Sequence, residues 1–257
     1  MIRSILFNVL FYVATAVILV GGSPLLFGPR SWAMAGLKFH AIVSIWLLRW
    51  IAGIRLEVRG GHNIPDGAAL VASKHQSSWD TFGLIPLMPD PAMVMKAELM
   101  KIPFYGWFSK KFGMIPIERG KATVALRNML EESQDRLEDN RQVVIFPEGR
   151  RRVPGAPADY RAGVVKLYEG CDVPCVPVAL NSGLFWPRRR FRRFPGTIVV
   201  EFLTPIQPGL GRAEFREKLE AAIEGATGRL IAEALVRSPD LPVPKAVVQG
   251  ADLSFHN

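Results

Sequence analysis

Cysteine and histidine are scarce in this chain of 257 residues, with two of the first and four of the second. Cys171 and Cys175 fall in one Cys-Asp-Val-Pro-Cys segment, and neither His40 nor His62 has a Cys nearby. So few donors exclude a zinc site by count, and no metal is expected. Two thiols make no disulfide framework either, and both are expected to pack as small apolar side chains in a reducing compartment. Acidic residues are outnumbered by basic ones, 23 against 32, for a net charge of +9. That imbalance points to an anionic partner, whether nucleic acid, acidic lipid or a phosphorylated substrate. The mean hydropathy is nevertheless positive. Soluble nucleic-acid binders rarely join such basicity to long apolar runs, so no nucleic acid is expected and an anionic phospholipid membrane is preferred. Internal repeats are absent, and so is any Gly-x-Ser-x-Gly nucleophile elbow.

Charge is missing altogether from Ser4 to Pro29, and Ile5 to Val20 is apolar but for Asn8 among the strongly polar types. A run of this length can cross or enter a bilayer, which takes roughly 17 to 25 residues. A cleaved signal peptide is the competing reading, since Arg3 precedes the apolar core and Gly21-Gly22-Ser23 follows it. The apolar character continues through Pro24-Leu25-Leu26-Phe27 without an Ala-x-Ala pattern, which favours a retained segment. The next stretch, Ser31 to Ile54, mixes Lys38, His40 and Arg49 with Ile42, Val43, Ile45, Trp46, Leu47 and Leu48. Such a mixture suits an interfacial helix, with Trp32, Trp46 and Trp50 in the headgroup zone. An ordinary amphipathic helix packed on a globular domain reads the same way. Residues 1–55 are therefore expected to form a membrane-associated helical hairpin.

From residue 56 apolar runs alternate with helical segments, the pattern of an α/β domain with a central sheet flanked by helices. Strands are expected at 56–59, 68–72, 92–95, 114–117, 143–146, 175–180 and 197–202. Helices are expected at 78–87, 103–111, 121–140, 162–170 and 212–237. The last of these shows Phe215, Leu219, Ile223, Leu230 and Ile231 near helical spacing. The domain should span 56–237, and 238–257, with Pro239, Pro242 and Pro244, forms a tail.

Four segments carry chemistry. In Ser73-Lys74-His75-Gln76-Ser77-Ser78-Trp79-Asp80, a histidine and an aspartate stand five residues apart behind the run Leu70-Val71-Ala72. Five helical steps of about 100° would leave them roughly 140° apart, so the pair should straddle a strand-to-helix junction with Ser77, Ser78 or Asp80 as the N-cap. There Asp80 can reach back to the His75 imidazole. The second segment is Phe146-Pro147-Glu148-Gly149-Arg150-Arg151-Arg152, in which glycine permits a close turn and clustered guanidiniums suit phosphate. The others are Gly113-Met114-Ile115-Pro116-Ile117-Glu118-Arg119 and Val176-Pro177-Val178. Each alone has a plainer reading, as a surface charge, a solvated turn or core.

The order and spacing of all four, over about residues 56 to 205, resemble the glycerolipid acyltransferase family, and within it the bacterial 1-acyl-glycerol-3-phosphate acyltransferases. His75 and Asp80 match the family's His-x4-Asp block, Gly113 to Arg119 its Gly-x-Ile-x-Ile-x-Arg block, and Phe146 to Gly149 its Phe-Pro-Glu-Gly block. Two positions depart from the pattern: Lys74 stands where Asn usually precedes the histidine, and Arg150 where Thr usually follows the glycine, so that Arg151 takes the place of the usual arginine.

The resemblance implies transfer of a fatty acyl group from acyl-CoA or acyl-carrier protein to the sn-2 hydroxyl of lysophosphatidate, giving phosphatidate, with no cofactor beyond the thioester co-substrate. It implies His75 and Asp80 as the catalytic pair, and Arg119, Glu148, Gly149 and Arg151 as the acceptor site. It also implies a location on the cytoplasmic face of the cell inner membrane. Lys110, Lys111 and the run Arg188 to Phe194 are expected to seat the protein on anionic lipid. Another lysolipid acceptor, such as a lyso-ornithine lipid, and a non-catalytic anionic-lipid-binding protein are the alternatives. A Ser-His-Asp esterase is the nearest rival enzyme.

Overall fold

The computed structural model describes residues 1–118, 122–243 and 246–247. The uncharged N-terminal run forms helix α1, Ile2–Gly21. A turn through Gly28-Pro29 leads into α2, Arg30–Leu47, which widens into a π-helical turn over Leu48–Ala52. Gly53 ends it in the left-handed conformation, φ +73°, that only glycine adopts without strain.

The two helices are inside-out relative to a soluble bundle. On α1 the buried residues are Ser4, Phe7 and Asn8, at i, i+3 and i+4, while Ile2, Ile5, Leu6, Val9, Val13 and Val17 are exposed. On the second helix and its π-helical end Trp32, Phe39, Ile42, Trp46 and Trp50 are exposed, and Phe27 in the turn between the helices is 93% exposed. A helix folding against water buries its apolar stripe. An apolar surface this continuous marks an interaction face.

Seven strands follow: β1 Ile54–Arg59, β2 Ala69–Ser73, β3 Pro91–Lys96, β4 Ile115–Ile117, β5 Gln142–Ile145, β6 Cys175–Leu180 and β7 Gly196–Phe202. They form one sheet in the order β1-β7-β6-β2-β5-β3-β4. All pairs are parallel except β6 with β7, so the sheet is mixed. Strands covered on both faces read as near-continuous apolar runs, as β2, β5 and β6 do, whereas β1 alternates Ile-Arg-Leu-Glu-Val-Arg and is partly exposed. The prolines obey the ladder rule. Pro116 lies on the edge strand β4, and Pro177 of β6 lies beyond Val178, where the pairing with β7 stops at Phe202.

The remaining helices are α3 Asp80–Gly83, α4 Tyr105–Phe112, α5 Ala122–Glu138, α6 Ala162–Cys171, α7 Ser182–Phe185 and α8 Arg212–Arg237. A single helix expected over 78–87 is instead the four-residue α3 followed by a 3-10 turn, Ile85–Leu87, where Pro86 supplies no amide donor. One face of the sheet, with Val71, Val144 and Val176, packs on α1, α2, α4 and α7. The other, with Leu70, Ala72, Val143 and Ile145, packs on α5, α6 and the first half of α8. Cys175 is fully buried and Cys171 partly so, and burial pushes both thiols up, that of Cys171 to about 11.

The hairpin is fastened to the sheet domain at both ends. Arg30 makes a bidentate ion pair with Asp90, and Lys38 donates to the Pro89 carbonyl at 2.7 Å. Near the start of α1, Ser4 and Asn8 engage Arg193: Asn8 Oδ1 accepts from Nη2 at 2.8 Å and Ser4 Oγ from the main-chain N–H at 3.0 Å. Between these points Phe11 packs on Phe82 of α3, centroids 5.6 Å apart, and on Trp186 just after α7, 5.4 Å. The Pro-rich tail expected from 238 is described only as far as Val243 and at 246–247.

Candidate active site

Strands β6, β2 and β5 lie side by side and parallel, with Ala72 level with Ile145 and Ser73 with Val178. Their C-terminal ends therefore open on one crevice, the usual place for a ligand in an α/β sheet. The segment after β2 carries His75, the one after β5 carries Phe146 to Arg152, and the one after β6 carries Asn181 and Ser182.

Asp80 begins α3 and is fully buried. Its Oδ2 accepts from the Gln76 amide at 2.7 Å, the Ser77 amide at 2.8 Å and His75 Nδ1 at 2.9 Å. Ser182 Oγ donates to Oδ1 at 2.5 Å. The expected strand-to-helix junction is present, but its cap differs from expectation. Trp79 occupies the N-cap position without a side-chain bond, and Asp80 reaches backward to the two amides that precede the helix. A carboxylate can only accept, so Nδ1 of His75 carries the hydrogen and Nε2 is left with its lone pair.

The Phe146 to Arg152 segment forms a cradle around His75. The Phe146 ring stacks on the imidazole with centroids 4.1 Å apart, Glu148 Oε2 accepts the His75 N–H at 3.1 Å, and the Arg152 N–H donates to the His75 carbonyl at 2.8 Å. Gly149 makes the turn possible with φ +61°, its N–H returning to the Phe146 carbonyl at 2.9 Å. Main chain and ring are thus held from three directions, and the imidazole remains 12% exposed.

The three consecutive arginines diverge. Arg150 turns away to Asp159 at 2.9 Å, and Arg152 also faces Asp159, at 3.6 Å. Of the three, Arg151 turns toward the loop that carries His75, where its Nη1 donates to Ser78 Oγ at 2.5 Å. Arg188 donates to the Arg151 carbonyl at 3.0 Å. Its own guanidinium is held below the usual arginine value by burial and by the charges of Arg189, Arg151 and Arg150. Cations crowded in this way are relieved by an anion.

The fold thus brings together His75, Asp80, Glu148, Gly149 and Arg151. Arg119 lies outside the described residues, although β4, which leads toward it, ends on the same edge of the sheet. Glu148, expected to contact the acceptor, is buried with both oxygens engaged: Oε2 on the His75 N–H, and Oε1 on Lys74 Nζ at 2.8 Å. Burial raises its carboxyl above the usual range while Lys74 acts to lower it. Ser182 was missed as a site residue, and the only signal was the polar Asn181-Ser182-Gly183 after a buried strand. Among the described residues no three His, Cys, Asp or Glu side chains come together as a metal cluster.

Comparison with known proteins bears on the fold and the family. Residues 55–181 match the family model described as Acyltransferase. A 1-acyl-sn-glycerol-3-phosphate acyltransferase of Pseudomonas aeruginosa is 38% identical over 157 residues, 61% of each chain. The alpha form of the enzyme so named in Mus musculus is 33% identical over 162 residues, 62% of this chain and 57% of that one. The chain thus spans about six-tenths of the length of these curated relatives. The crystal structure of the 1-acyl-sn-glycerophosphate acyltransferase PlsC of Thermotoga maritima superposes with a TM-score of 0.76 at 23% identity, covering 89% of this chain and 96% of that one. That likeness fixes the fold, and the match to the acyltransferase family model falls on residues 55–181, within the α/β part of this chain.

Proposed function

We propose that the protein transfers a fatty acyl group from acyl-CoA or acyl-carrier protein to the sn-2 hydroxyl of 1-acyl-glycerol-3-phosphate, yielding phosphatidate. The observation that carries this reading is a histidine–aspartate pair with no protein nucleophile attached. The serines around His75 have other partners: Ser73 Oγ donates to the Lys74 carbonyl, Ser77 Oγ accepts from the Trp79 amide, Ser78 Oγ accepts from Arg151, and Ser182 Oγ donates to Asp80. Among the described residues none is bonded to the imidazole. The hydroxyl activated by Nε2 is then the substrate's own, and the esterase reading loses its serine.

In this mechanism Nε2 takes the proton of the acceptor hydroxyl as its oxygen attacks the thioester carbonyl. The C–S bond breaks, and the thiol leaves with a proton returned by the imidazolium. Asp80 holds the imidazole in one tautomer and faces the positive charge that forms on it. Arg151 is the phosphate contact the geometry offers, joined by Arg119 on the strength of the family pattern. Arg151→Ala should raise KM for lysophosphatidate about 10- to 100-fold, the loss of one charge-assisted contact. A monoacylglycerol acceptor without phosphate should be affected little. Equal effects on both acceptors in steady-state assays would remove Arg151 from the phosphate site.

The apolar outer face of the hairpin supports seating in a membrane, and the proposed place is the cytoplasmic face of the cell inner membrane. Because Ser4, Asn8, Arg30 and Lys38 are all tied to the α/β domain, the hairpin is read as lying in one leaflet beside that domain. The arginine run divides. Arg193, 8% exposed, is spent on α1 and lies over Trp186 at 4.3 Å, and burial holds it down to about 10. Arg189, Arg190, Phe191 and Arg192 are exposed. Replacing Arg189, Arg190 and Arg192 together with Gln should weaken partition onto anionic vesicles on the order of 100-fold, at about 1 kcal/mol per residue. Unchanged sedimentation with such vesicles would deny these residues that part.

A further inference from the structure

Strand alternation sends His75 toward the face that carries the hairpin and sends its neighbour Lys74 the opposite way. Leu70 and Ala72 belong to the α6/α8 face. Lys74, still in the ladder through its N–H to Val178 O at 2.9 Å, continues that row. A lysine there is costly, since it is only 2% exposed. It is nevertheless fully partnered. Nζ donates to Glu148 Oε1 at 2.8 Å and to both oxygens of Glu224 on α8, at 2.7 and 2.8 Å. The Tyr160 hydroxyl donates to Glu224 Oε1 at 2.9 Å, and Glu148 uses its other oxygen on the His75 amide.

We propose that Lys74 is a positioning residue for the catalytic histidine: its ammonium, clamped from behind by Glu224, fixes Glu148 so that Glu148 holds the His75 main chain in place. This inference rests on the acyltransferase reading of the site. It also gives a physical account of the sequence departure at this position. An ammonium needs a second carboxylate to balance it in a buried place, and Glu224, anchored by Tyr160, is that carboxylate. The groups facing Glu148 are Lys74 from the end of β2, Glu224 from α8 and the His75 amide. Tyr160 and Glu220 stand behind Glu224, and burial together with these carboxylates pushes the Tyr160 hydroxyl far up.

Lys74→Met removes the ammonium and keeps the length. Two carboxylates then share the site without a cation, and Glu148 must take a proton to stay buried. We expect kcat near neutral pH to fall about 10- to 100-fold, as for a misplaced reacting group, with KM for the acceptor within about twofold. The acid limb of the kcat profile should move to higher pH. Glu224→Gln removes a like charge from beside Glu148, so the same limb should stay or move to lower pH. Opposite behaviour of the two variants is a signature that general loss of folding cannot produce. Amide exchange of the peptide holding His75, followed by mass spectrometry, should quicken in Lys74→Met.

A loss of kcat with an unmoved pH profile would assign Lys74 to packing alone and overturn the proposal, as would exchange and kcat both unchanged in a folded variant. The exchange measurement does not depend on turnover. If the unaltered protein transferred no acyl group to any lysolipid, the proposed function would fail while exchange still tested the link from Lys74 to His75.

Discussion

His75→Ala should lower kcat for acyl transfer by about 10²- to 10⁴-fold, the range for removal of a positioned general base, while KM for lysophosphatidate changes little. The argument lies in what His75 touches. Among the described residues its side chain meets Asp80 by hydrogen bond and Phe146 by stacking, and neither is a phosphate-binding group. The fold should tolerate the loss, because the fixtures of the loop are main-chain bonds to Glu148 and Arg152 that alanine retains. Unaltered turnover in the alanine variant would mean that the imidazole is not the base.

Asp80→Asn should reduce activity comparably and cost stability as well. The carboxylate accepts from four donors, the amides of Gln76 and Ser77, His75 Nδ1 and Ser182 Oγ. An amide in its place must turn its NH₂ toward at least one of them. If it faces the imidazole, His75 is forced into the other tautomer, with Nε2 protonated and useless as a base. Loss of this kind costs up to about 10⁴ in kcat in the serine-protease triad. If it faces Ser182, that hydroxyl can turn to accept, and the imidazole loses only its negative partner. If it faces the imidazole it also faces the Gln76 and Ser77 N–H groups, which share Oδ2, and a buried donor loses its acceptor at about 1–3 kcal/mol. In a chain of this size that should appear as a fall in Tm of roughly 5 to 10 °C. The two variants therefore separate chemistry from architecture: His75→Ala loses turnover, and Asp80→Asn loses turnover and melting temperature. An Asp80→Asn protein with unchanged kcat would contradict the role given to the pair.

Much of this was written locally in the chain. Apolar runs such as Val143-Val144-Ile145 could only be buried strands, and five-residue spacing behind such a run excluded a continuous helix for His75 and Asp80. Local patterns could not show what crosses the fold. Lys74 and Glu224 are 150 residues apart, and Glu224 reads as one more charge on the polar side of a long helix. Three adjacent arginines after Gly149 look alike on paper, and only the turn distinguishes Arg151, beside Ser78, from Arg150 and Arg152, beside Asp159. The basic run after Arg188 reads as one patch, yet Arg193 is buried on the polar side of α1. α1 itself reads as an almost unbroken apolar run, and its inverted orientation emerges only when Ser4 and Asn8 are seen facing inward.

The central claim is a base that activates the substrate hydroxyl with no acyl-enzyme. The direct test is a single turnover of purified protein on vesicles, with labelled acyl thioester, lysophosphatidate and rapid acid quench. The account predicts that label passes from thioester to phosphatidate with none on protein, and that His75→Ala suppresses the transfer. Label trapped on the protein before phosphatidate appears, or released as free fatty acid while lysophosphatidate is untouched, would contradict it.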